Sequence, residues 1–417
     1  MARVGVILAI DGQEETAIAA AIEAHPDLTV ARRCADLAEA AAAADAGVGA
    51  AVIVTDGPQL TRGAIDLLRR AVPTLLVLTG DDDAVDQARE LGAPAAMARG
   101  AEPAAIATWV ARAFADPRLR ERWDPPPVAP ASAMPPGAIV AVWGPTGAPG
   151  RTTVALNVAA EAARSGTTVL LVDADTYGGA VAQAIGLTDE APGLVGAVRE
   201  SQRGRVDAAV LSRYAVVIEE RFSVLTGITR PERWPELPAS ALEAVLGSAR
   251  LAADLVIVDC GFGLEADEDL QYDTRAPQRN AATITALASA DVVVAVGSAE
   301  PVAMQRLIHG LGTLAEHVAA SPLVVVNRVR SSVAGARPEE TVADVLARFA
   351  SVPSVFTVPF DGAALDASVL TGRVLAECAP RSRARRALAT IAAAVADAAI
   401  APAPPRRADA ERAAVGD

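Results

Sequence analysis

The chain has 417 residues and a formal net charge of −14, and 52% of its residues are apolar although only 3% are aromatic. This length predicts two or three domains, with cores built mainly from Ala, Val and Leu. The negative charge argues against broad non-specific binding to nucleic acid. The sequence contains no lysine, so all of its basic side chains other than histidine are arginine.

Cysteine usage and apolar runs restrict the class of protein further. Three widely spaced cysteines, Cys34, Cys260 and Cys378, form neither a disulfide framework nor a metal-binding pattern. The N-terminus lacks the basic start and long apolar stretch of a signal peptide, and no run approaches the ~20 apolar residues of a membrane span. We expect a cytoplasmic protein, with any polar or membrane placement brought about through partners.

Residues 1–116 alternate short strand-like runs with alanine-rich helical stretches. The strand-like runs read VGVILAI, LTVARRC, AAVIVTD, TLLVLTG and AAMARG. Five strands and five helices in alternation predict an α/β domain with a doubly wound, flavodoxin-like parallel sheet.

This region resembles the receiver domain of two-component response regulators. Asp11 ends the first predicted strand, Asp56 the third and Thr79 the fourth, and Arg99 stands where receivers carry lysine. The resemblance implies that acids at the first strand hold Mg²⁺ and that Asp56 accepts phosphate. Only one acid is present at the first strand, and a magnesium site lacking an acid binds poorly. This favours a degenerate receiver, in which Asp56 only caps a loop, over a phosphorylatable switch.

Proline-rich sequence separates this region from the next. Residues 117–137, which include DPPPVAPASAMPPG, predict an extended linker, because proline at this density joins neither a helix nor a central strand. The similar sequence of 401–417 predicts a disordered tail. Residues 138–400 remain as a second folded region.

The second region carries eight strand-like runs, which read AIVAVW, TVLLVDA, YAVVIEE, FSVLTGI, LVIVDCG, DVVVAVGS, LVVVNRV and VFTVPF. Near-continuous Val and Leu are typical of strands buried on both faces, so we predict a mostly parallel, doubly wound sheet. Such sheets bind ligands at the carboxyl ends of their strands. Five groups of special residues fall there: the loop 144–153, Asp173 with Asp175, Asp259, Asn327, and Pro359 with Asp361.

The loop GPTGAPGRTT, residues 144–153, has the composition of a phosphate-binding loop. Gly147 and Gly150 permit a tight turn that brings backbone N–H groups to a phosphate. The helix that starts near Arg151 adds its N-terminal dipole. Thr152 would bind Mg²⁺, and Asp259 would hold the ion through one of its waters.

Together these segments resemble the MinD/ParA branch of P-loop ATPases, whose deviant Walker A motif reads roughly xGKGGxGKTT. The resemblance covers about 138–395. Arg151 replaces the loop lysine, Thr146 replaces the signature lysine that reaches across a dimer, and Pro145 replaces the first glycine. The remaining motif positions carry Gly147, Ala148, Gly150, Thr152 and Thr153.

The resemblance implies roles for the other strand-end residues. Asp175 would position the attacking water, Asp259 would lie near Mg²⁺, and Asn327, Pro359 and Asp361 would contact the base. It also implies ATP and Mg²⁺ as ligands and a homodimer as the assembly. The segment DEDLQYDTRAPQRN, which contains Arg279, falls where the family has a switch that senses nucleotide; an exposed loop is the alternative.

The domain order is that of the CpaE/TadZ group, here in an actinobacterial-looking form, whose members position Tad (Flp-type) pilus and secretion machinery. This implies a localisation or assembly regulator with pilus or secretion proteins as partners. Two alternatives remain open: a non-catalytic scaffold with a vestigial nucleotide site, and a septum-site or chromosome-partitioning ATPase.

Arginine does not substitute freely for the loop lysine, because its planar fork is bulkier than a point-charge ammonium. With Thr146 also lacking the signature charge, we predict a protein that binds nucleotide but hydrolyses it slowly or not at all, with Arg151 and Asp175 as catalytic candidates.

The end of the second region, RSRARRALATIAAAVADAAI, has four arginines followed by an alanine-rich helical pattern. Its larger apolar residues are Leu388, Ile391, Val395 and Ile400. We predict a helix packed on the sheet rather than a membrane-binding helix, which would need bulkier apolar residues on one face.

Overall fold

The computed structural model describes residues 3–10, 14–57, 60–80, 82–115, 136–187, 192–265 and 278–400. Asp11, most of the predicted linker, the predicted tail and most of the predicted switch segment lie outside these residues. The described residues form two compact units, each built on its own sheet.

The first unit contains a five-stranded sheet in the order β2-β1-β3-β4-β5, and every pairing in it is parallel. This is the flavodoxin-like order, so the predicted fold class is confirmed. The strands are β1 Val4–Ala9, β2 Leu28–Arg33, β3 Ala51–Thr55, β4 Thr74–Thr79 and β5 Ala96–Ala98. The helices are α1 Glu14–Ala24, α2 Leu37–Asp45, α3 Arg62–Ala71, α4 Asp82–Glu90 and α5 Pro103–Ala115.

Local sequence explains where helices α2 and α3 begin. The side chain of Asp36 accepts a hydrogen bond from the backbone N–H of Glu39 at 2.8 Å, and Thr61 accepts one from Ala64 at 3.3 Å. Both satisfy donors that a helix leaves free in its first turn. The buried face of α2 consists of alanines, which lets the helix lie close to the sheet.

The second unit contains an eight-stranded sheet in the order β13-β12-β11-β6-β10-β7-β9-β8. All eight predicted strands are present, and every pair is parallel except β8 with β9, so the predicted mostly parallel sheet is confirmed. The strands are β6 Ala138–Trp143, β7 Val169–Ala174, β8 Val216–Glu219, β9 Phe222–Leu225, β10 Leu255–Cys260, β11 Val292–Ser298, β12 Leu323–Val329 and β13 Val355–Pro359.

Helices cover both faces of this sheet. They are α6 Arg151–Arg164, α7 Val181–Ala184, α8 Gly193–Gln202, α9 Ala208–Tyr214, α10 Ala239–Ala252, α11 Ala281–Ser289, α12 Pro301–His317, α13 Ser331–Ala334, α14 Pro338–Ala350, α15 Gly362–Thr371, α16 Leu375–Cys378 and α17 Arg383–Ile400, with a 3₁₀ helix at Pro231–Glu236. Alternate residues of β6 enter opposite cores: Val140 and Val142 pack with α6 and α17, while Ile139, Ala141 and Trp143 pack with α10 and α11. Burial on both faces accounts for the continuous apolar runs.

The terminal helix α17 packs against α6, which confirms the predicted core helix. Leu388, Ile391 and Val395 are at most 1% exposed. Ile400, the last residue of the helix, is 84% exposed and does not belong to its buried face. Among the described residues, no helix is long and apolar enough to cross a membrane.

An ion pair also holds α17 to α6. Arg385 donates two hydrogen bonds to the carboxylate of Glu161, at 2.7 and 2.9 Å, and the Glu161 side chain is only 8% exposed. Arg385→Ala should lower the free energy of unfolding by about 2 kcal/mol, because it leaves a buried carboxylate unpaired. Arg386→Ala, at the exposed next position, is the control. Urea unfolding of both variants checks this, and equal stabilities would contradict it.

Candidate nucleotide-binding site

The loop 144–150 joins the central strand β6 to helix α6 at the carboxyl edge of the sheet. Strands β10 and β11 flank β6, so their ends lie beside the loop. The residue before the loop, Trp143, is 1% exposed, and its indole Nε1 donates to the carbonyl oxygen of Phe262 at 3.2 Å. The loop therefore leaves a fully packed part of the sheet.

Gly147 and Gly150 have φ values of +70° and +100°, a conformation that favours glycine. A Cβ atom on Gly150 would lie 2.1 Å from Asn327 Nδ2, and one on Gly144 would lie 2.2 Å from the carbonyl oxygen of Val296. Asn327 Nδ2 donates to the carbonyl oxygen of Pro149 at 3.2 Å. Asn327, which the sequence places at a strand end, thus holds the second half of the loop. Only glycine at position 150 allows the Asn327 amide to come so close to the loop backbone.

The two predicted metal-binding residues contact each other directly. The Thr152 hydroxyl donates to Asp259 Oδ2 at 2.6 Å. Asp259 is 1% exposed, and its other oxygen, Oδ1, is buried without a hydrogen-bond partner among the described residues. Burial raises the pKa of Asp259 to about 7, although Thr152 and Arg151 favour the charged form. A hydroxyl beside a carboxylate with an unused oxygen is a donor set that fits Mg²⁺.

The two predicted catalytic residues, Arg151 and Asp175, form a buried ion pair. Arg151 Nη2 lies 3.2 Å from Asp175 Oδ2, and the side chains are 14% and 5% exposed. Arg151 Nη1 donates to the carbonyl oxygen of Gly144, also at 3.2 Å. The forked guanidinium therefore connects the start of the loop to the end of β7, two contacts that the single ammonium of lysine is poorly shaped to make together.

A second buried carboxylate lies beside this pair. Asp173 is the direct strand neighbour of Asp259, and its oxygens accept from the N–H groups of Asp175 at 3.3 Å and Val181 at 3.2 Å. Burial, and then the charge of Asp259, raises the pKa of Asp173 well above its ordinary range. Asp175 Oδ1 accepts from the N–H groups of Tyr177 and Gly178. The backbone thus orients both acids of the VDAD segment.

Comparison with known families agrees with this arrangement. Residues 140–368, more than half of the chain, match the CobQ/CobB/MinD/ParA nucleotide binding domain. The chain belongs to this family.

Solved structures show that the MinD/ParA-type domain has the same fold. The cell division ATPase MinD of Pyrococcus furiosus superposes with a TM-score of 0.50 at 20% sequence identity, covering 63% of this chain and 99% of that one. A ParA family ATPase from Chlorobium tepidum TLS superposes with a TM-score of 0.51 at 16% identity, covering 61% of this chain and 98% of that one. No curated protein sequence matches the chain.

Aromatic residues border the Asp175 side of the MinD/ParA-type site. The Arg279 guanidinium lies 3.9 Å from the centre of the Tyr177 ring and donates to the carbonyl oxygen of Thr176 at 2.9 Å. The Tyr177 hydroxyl donates to Asn280 Oδ1 at 2.7 Å. The sequence indicated Arg279 but not Tyr177. The signal available was its position two residues after Asp175, in a chain with three tyrosines.

The predicted base-contacting residues Pro359 and Asp361 lie at the end of β13. Pro359 pairs with Val329 of β12, two residues beyond Asn327. Asp361 Oδ2 accepts from the Ser382 hydroxyl at 2.7 Å, just before α17 begins, and this hydrogen bond lowers the pKa of Asp361. The Asp361 carboxylate therefore joins β13 to the terminal helix.

Two further predicted nucleotide-binding residues lie in the loop and at the start of α6. Ala148 is buried, and Thr153 lies in the first turn of α6, where its carbonyl oxygen accepts a hydrogen bond from Asn157 Nδ2.

Three of the four receiver-like residues lie together in the first unit, and the fourth, Asp11, lies outside the described residues. Asp56 Oδ1 accepts from Arg99 Nη2 and Oδ2 accepts from the N–H of Gly80, both at 2.9 Å. Thr79 is fully buried, and its hydroxyl donates to the carbonyl oxygen of Met97. Both oxygens of Asp56 therefore have partners within the protein.

Two of the histidines, His309 and His317, lie on α12. Within the described part of the chain, no group of three or more His, Cys, Asp or Glu side chains is arranged to hold a metal ion.

Proposed function

We propose that the 138–400 domain binds ATP with Mg²⁺, and that this binding regulates the localisation or assembly of a Tad (Flp-type) pilus or secretion system. The observation that carries nucleotide binding is the Thr152–Asp259 contact below a glycine loop, with Asp259 Oδ1 left without a partner. Thr152 and Asp259 would hold Mg²⁺, which would neutralise phosphate charge when bound. The N–H groups of the loop and of the first turn of α6 would bind the phosphates.

Slow or absent hydrolysis follows from the pairing of Arg151 with Asp175. An acid that positions water must direct an oxygen to that water, but Asp175 Oδ2 is engaged by Arg151 and Oδ1 by two backbone N–H groups. In the proposed function, Arg151 neutralises Asp175 and holds the loop. Catalysis would require this pair to open.

The proposed role as a regulator of the CpaE/TadZ type also rests on the first unit. Its flavodoxin-like strand order supports a receiver-like domain. Arg99 and Gly80 occupy both oxygens of Asp56, which supports a degenerate receiver that is not phosphorylated. The domains are proposed to span 1–116 and 138–400, joined by 117–137, and the active assembly is proposed to be a homodimer.

Arg151→Lys separates a slow ATPase from a non-catalytic scaffold. Lysine would release Asp175 while keeping the positive charge of the loop, so a slow ATPase should gain turnover by about tenfold or more. Arg164→Lys, at the far end of the same helix, where Arg164 pairs with Glu219, should leave the rate unchanged. Phosphate release at saturating Mg·ATP measures both. An unchanged rate for Arg151→Lys would favour the scaffold.

Deletion of the gene in its host tests the cellular role. We expect loss of surface Flp-type pili with normal septum placement and normal chromosome segregation. Misplaced septa or chromosome loss with intact pili would instead support a MinD-like or ParA-like role.

A further inference from the structure

Helix α12 packs against the first half of the loop. A Cβ atom on Gly310 of α12 would lie 3.0 Å from Pro145 Cβ, and one on Gly147 would lie 2.2 Å from Arg306 Nη1. Arg306 Nη1 donates to the carbonyl oxygen of Thr146 at 3.4 Å. Gly310 and Arg306 are four residues apart, so they share one face of α12. That face therefore follows the loop from 145 to 147.

The position of this face is fixed by packing behind it. Leu307, the neighbour of Arg306, is fully buried, and a Cβ atom on Gly297 of β11 would lie 2.4 Å from its side chain. Close packing of this kind leaves little freedom for the helix to rotate or slide. Arg306 is consequently held over the loop, although its own side chain is exposed.

Arg306 brings positive charge to a part of the loop that has none of its own. The residues at 145–149 are Pro, Thr, Gly, Ala and Pro, all uncharged. A guanidinium has five N–H donors, and the described residues give Arg306 one hydrogen bond, which is long. By contrast, Arg151 is buried and its charge is already paired with Asp175. Arg306 is thus an exposed cation at the loop with donors still available for a ligand.

We propose that Arg306 binds the terminal phosphate of a nucleoside triphosphate held by the loop, supplying from α12 the charge that position 146 lacks. The inference rests on the proposed nucleotide binding. Gly310 and Pro145 set the distance, and the guanidinium exchanges its long hydrogen bond to a neutral carbonyl for a charge-assisted one to a phosphate oxygen. Because a diphosphate lacks the terminal group, Arg306 would give the site a preference for ATP over ADP.

Calorimetric titration of the full chain with Mg·ATP and with Mg·ADP tests this. Arg306→Ala should weaken ATP binding by about tenfold and ADP binding by less than about threefold. Arg306→Gln keeps a donor for the Thr146 carbonyl but removes the charge, and it should lose the ATP preference to the same extent. The double variant with Arg306→Ala and Thr146→Lys should regain it. Arg348→Ala, which removes a cation that lies over the Phe349 ring on α14, is the control and should bind like the wild type.

The outcomes distinguish this inference from the function on which it rests. If the wild type binds ATP and Arg306→Ala keeps the same ratio of ATP to ADP affinity, the Arg306 proposal is wrong while nucleotide binding stands. If Arg306→Gln retains the ATP preference that Arg306→Ala loses, Arg306 supports the loop and does not bind phosphate. If neither the wild type nor Arg348→Ala binds, the proposed function fails and the phosphate role of Arg306 fails with it.

Discussion

Gly150→Ala should abolish Mg·ATP binding, with a loss of affinity of at least about 100-fold, and should also destabilise the protein. Gly150 has a φ of +100°, and an added Cβ would lie 2.1 Å from Asn327 Nδ2. The substitution therefore imposes backbone strain and displaces the Asn327 amide from the carbonyl oxygen of Pro149. Calorimetric titration and urea unfolding measure the two effects.

Gly166→Ala is a matched control for Gly150→Ala. Gly166 has nearly the same φ, +102°, but a Cβ there would meet nothing within 4 Å. Gly166→Ala should lower the free energy of unfolding by about 1–2 kcal/mol through backbone strain alone and should leave Mg·ATP binding unchanged. Gly150→Ala should lower the free energy of unfolding by at least about 1 kcal/mol more, since it also breaks the hydrogen bond from Asn327 to Pro149. Equal costs, or retained binding in Gly150→Ala, would show that Asn327 does not hold the loop.

Asp259→Asn should weaken binding of Mg·ATP by about 10-fold to 100-fold, the usual range for residues that hold a metal or its waters. The asparagine side chain keeps one oxygen, which can still accept the hydrogen bond from the Thr152 hydroxyl. In place of the unpaired oxygen it has an NH₂ group, which repels Mg²⁺. The metal-free protein should be no less stable, because burial already disfavours the Asp259 carboxylate, as its raised pKa shows. In EDTA the variant and the wild type should both fail to bind ATP measurably, so the difference between them should appear only with the metal.

Asp173→Asn is the comparison for Asp259→Asn. Asp173 is the buried strand neighbour of Asp259, but its oxygens accept from backbone N–H groups. We therefore expect a change in stability and a Mg·ATP affinity within about threefold of the wild type, because no unused oxygen is removed. Equal losses of metal-dependent binding in the two variants would contradict the assignment of Mg²⁺ to Asp259.

The fold of the MinD/ParA-type domain could be predicted from the sequence because its strands are buried on both faces. Runs such as LVIVDC and VVVAVGS have no polar face, and in the structure every residue of β10 and β11 is buried. The positions of Thr152, Asp173 and Asp259 at the carboxyl edge follow from the parallel sheet alone. Gly147 and Gly150 were predictable as turn residues and have positive φ values.

The pairings within the site could not be predicted, because they depend on the lateral order of the strands. Strand β10 lies between β6 and β7, although it comes much later in the sequence than either. To reach Asp175 at the end of β7, the side chain of Arg151 therefore has to extend past the end of β10. The contact of Arg306 with the loop depends in the same way on β11 lying on the other side of β6. Its signal in the sequence was only the spacing of Arg306 and Gly310 on one helix face.

The first unit shows the same limit on a smaller scale. Asp56 follows β3 and Arg99 follows β5, with β4 between them. The long side chain of Arg99 extends past the end of β4 and donates a hydrogen bond to the Asp56 carboxylate. The sequence indicated both residues, but whether Arg99 reaches Asp56 depends on side-chain length and strand order together.

Calorimetric titration of Mg·ATP into the purified full chain tests the central claim most directly. We predict binding with a Kd on the order of micromolar, lost when EDTA removes the metal. Absence of both heat and thermal stabilisation at millimolar Mg·ATP would contradict nucleotide binding, and the chain would then act through its protein surfaces alone.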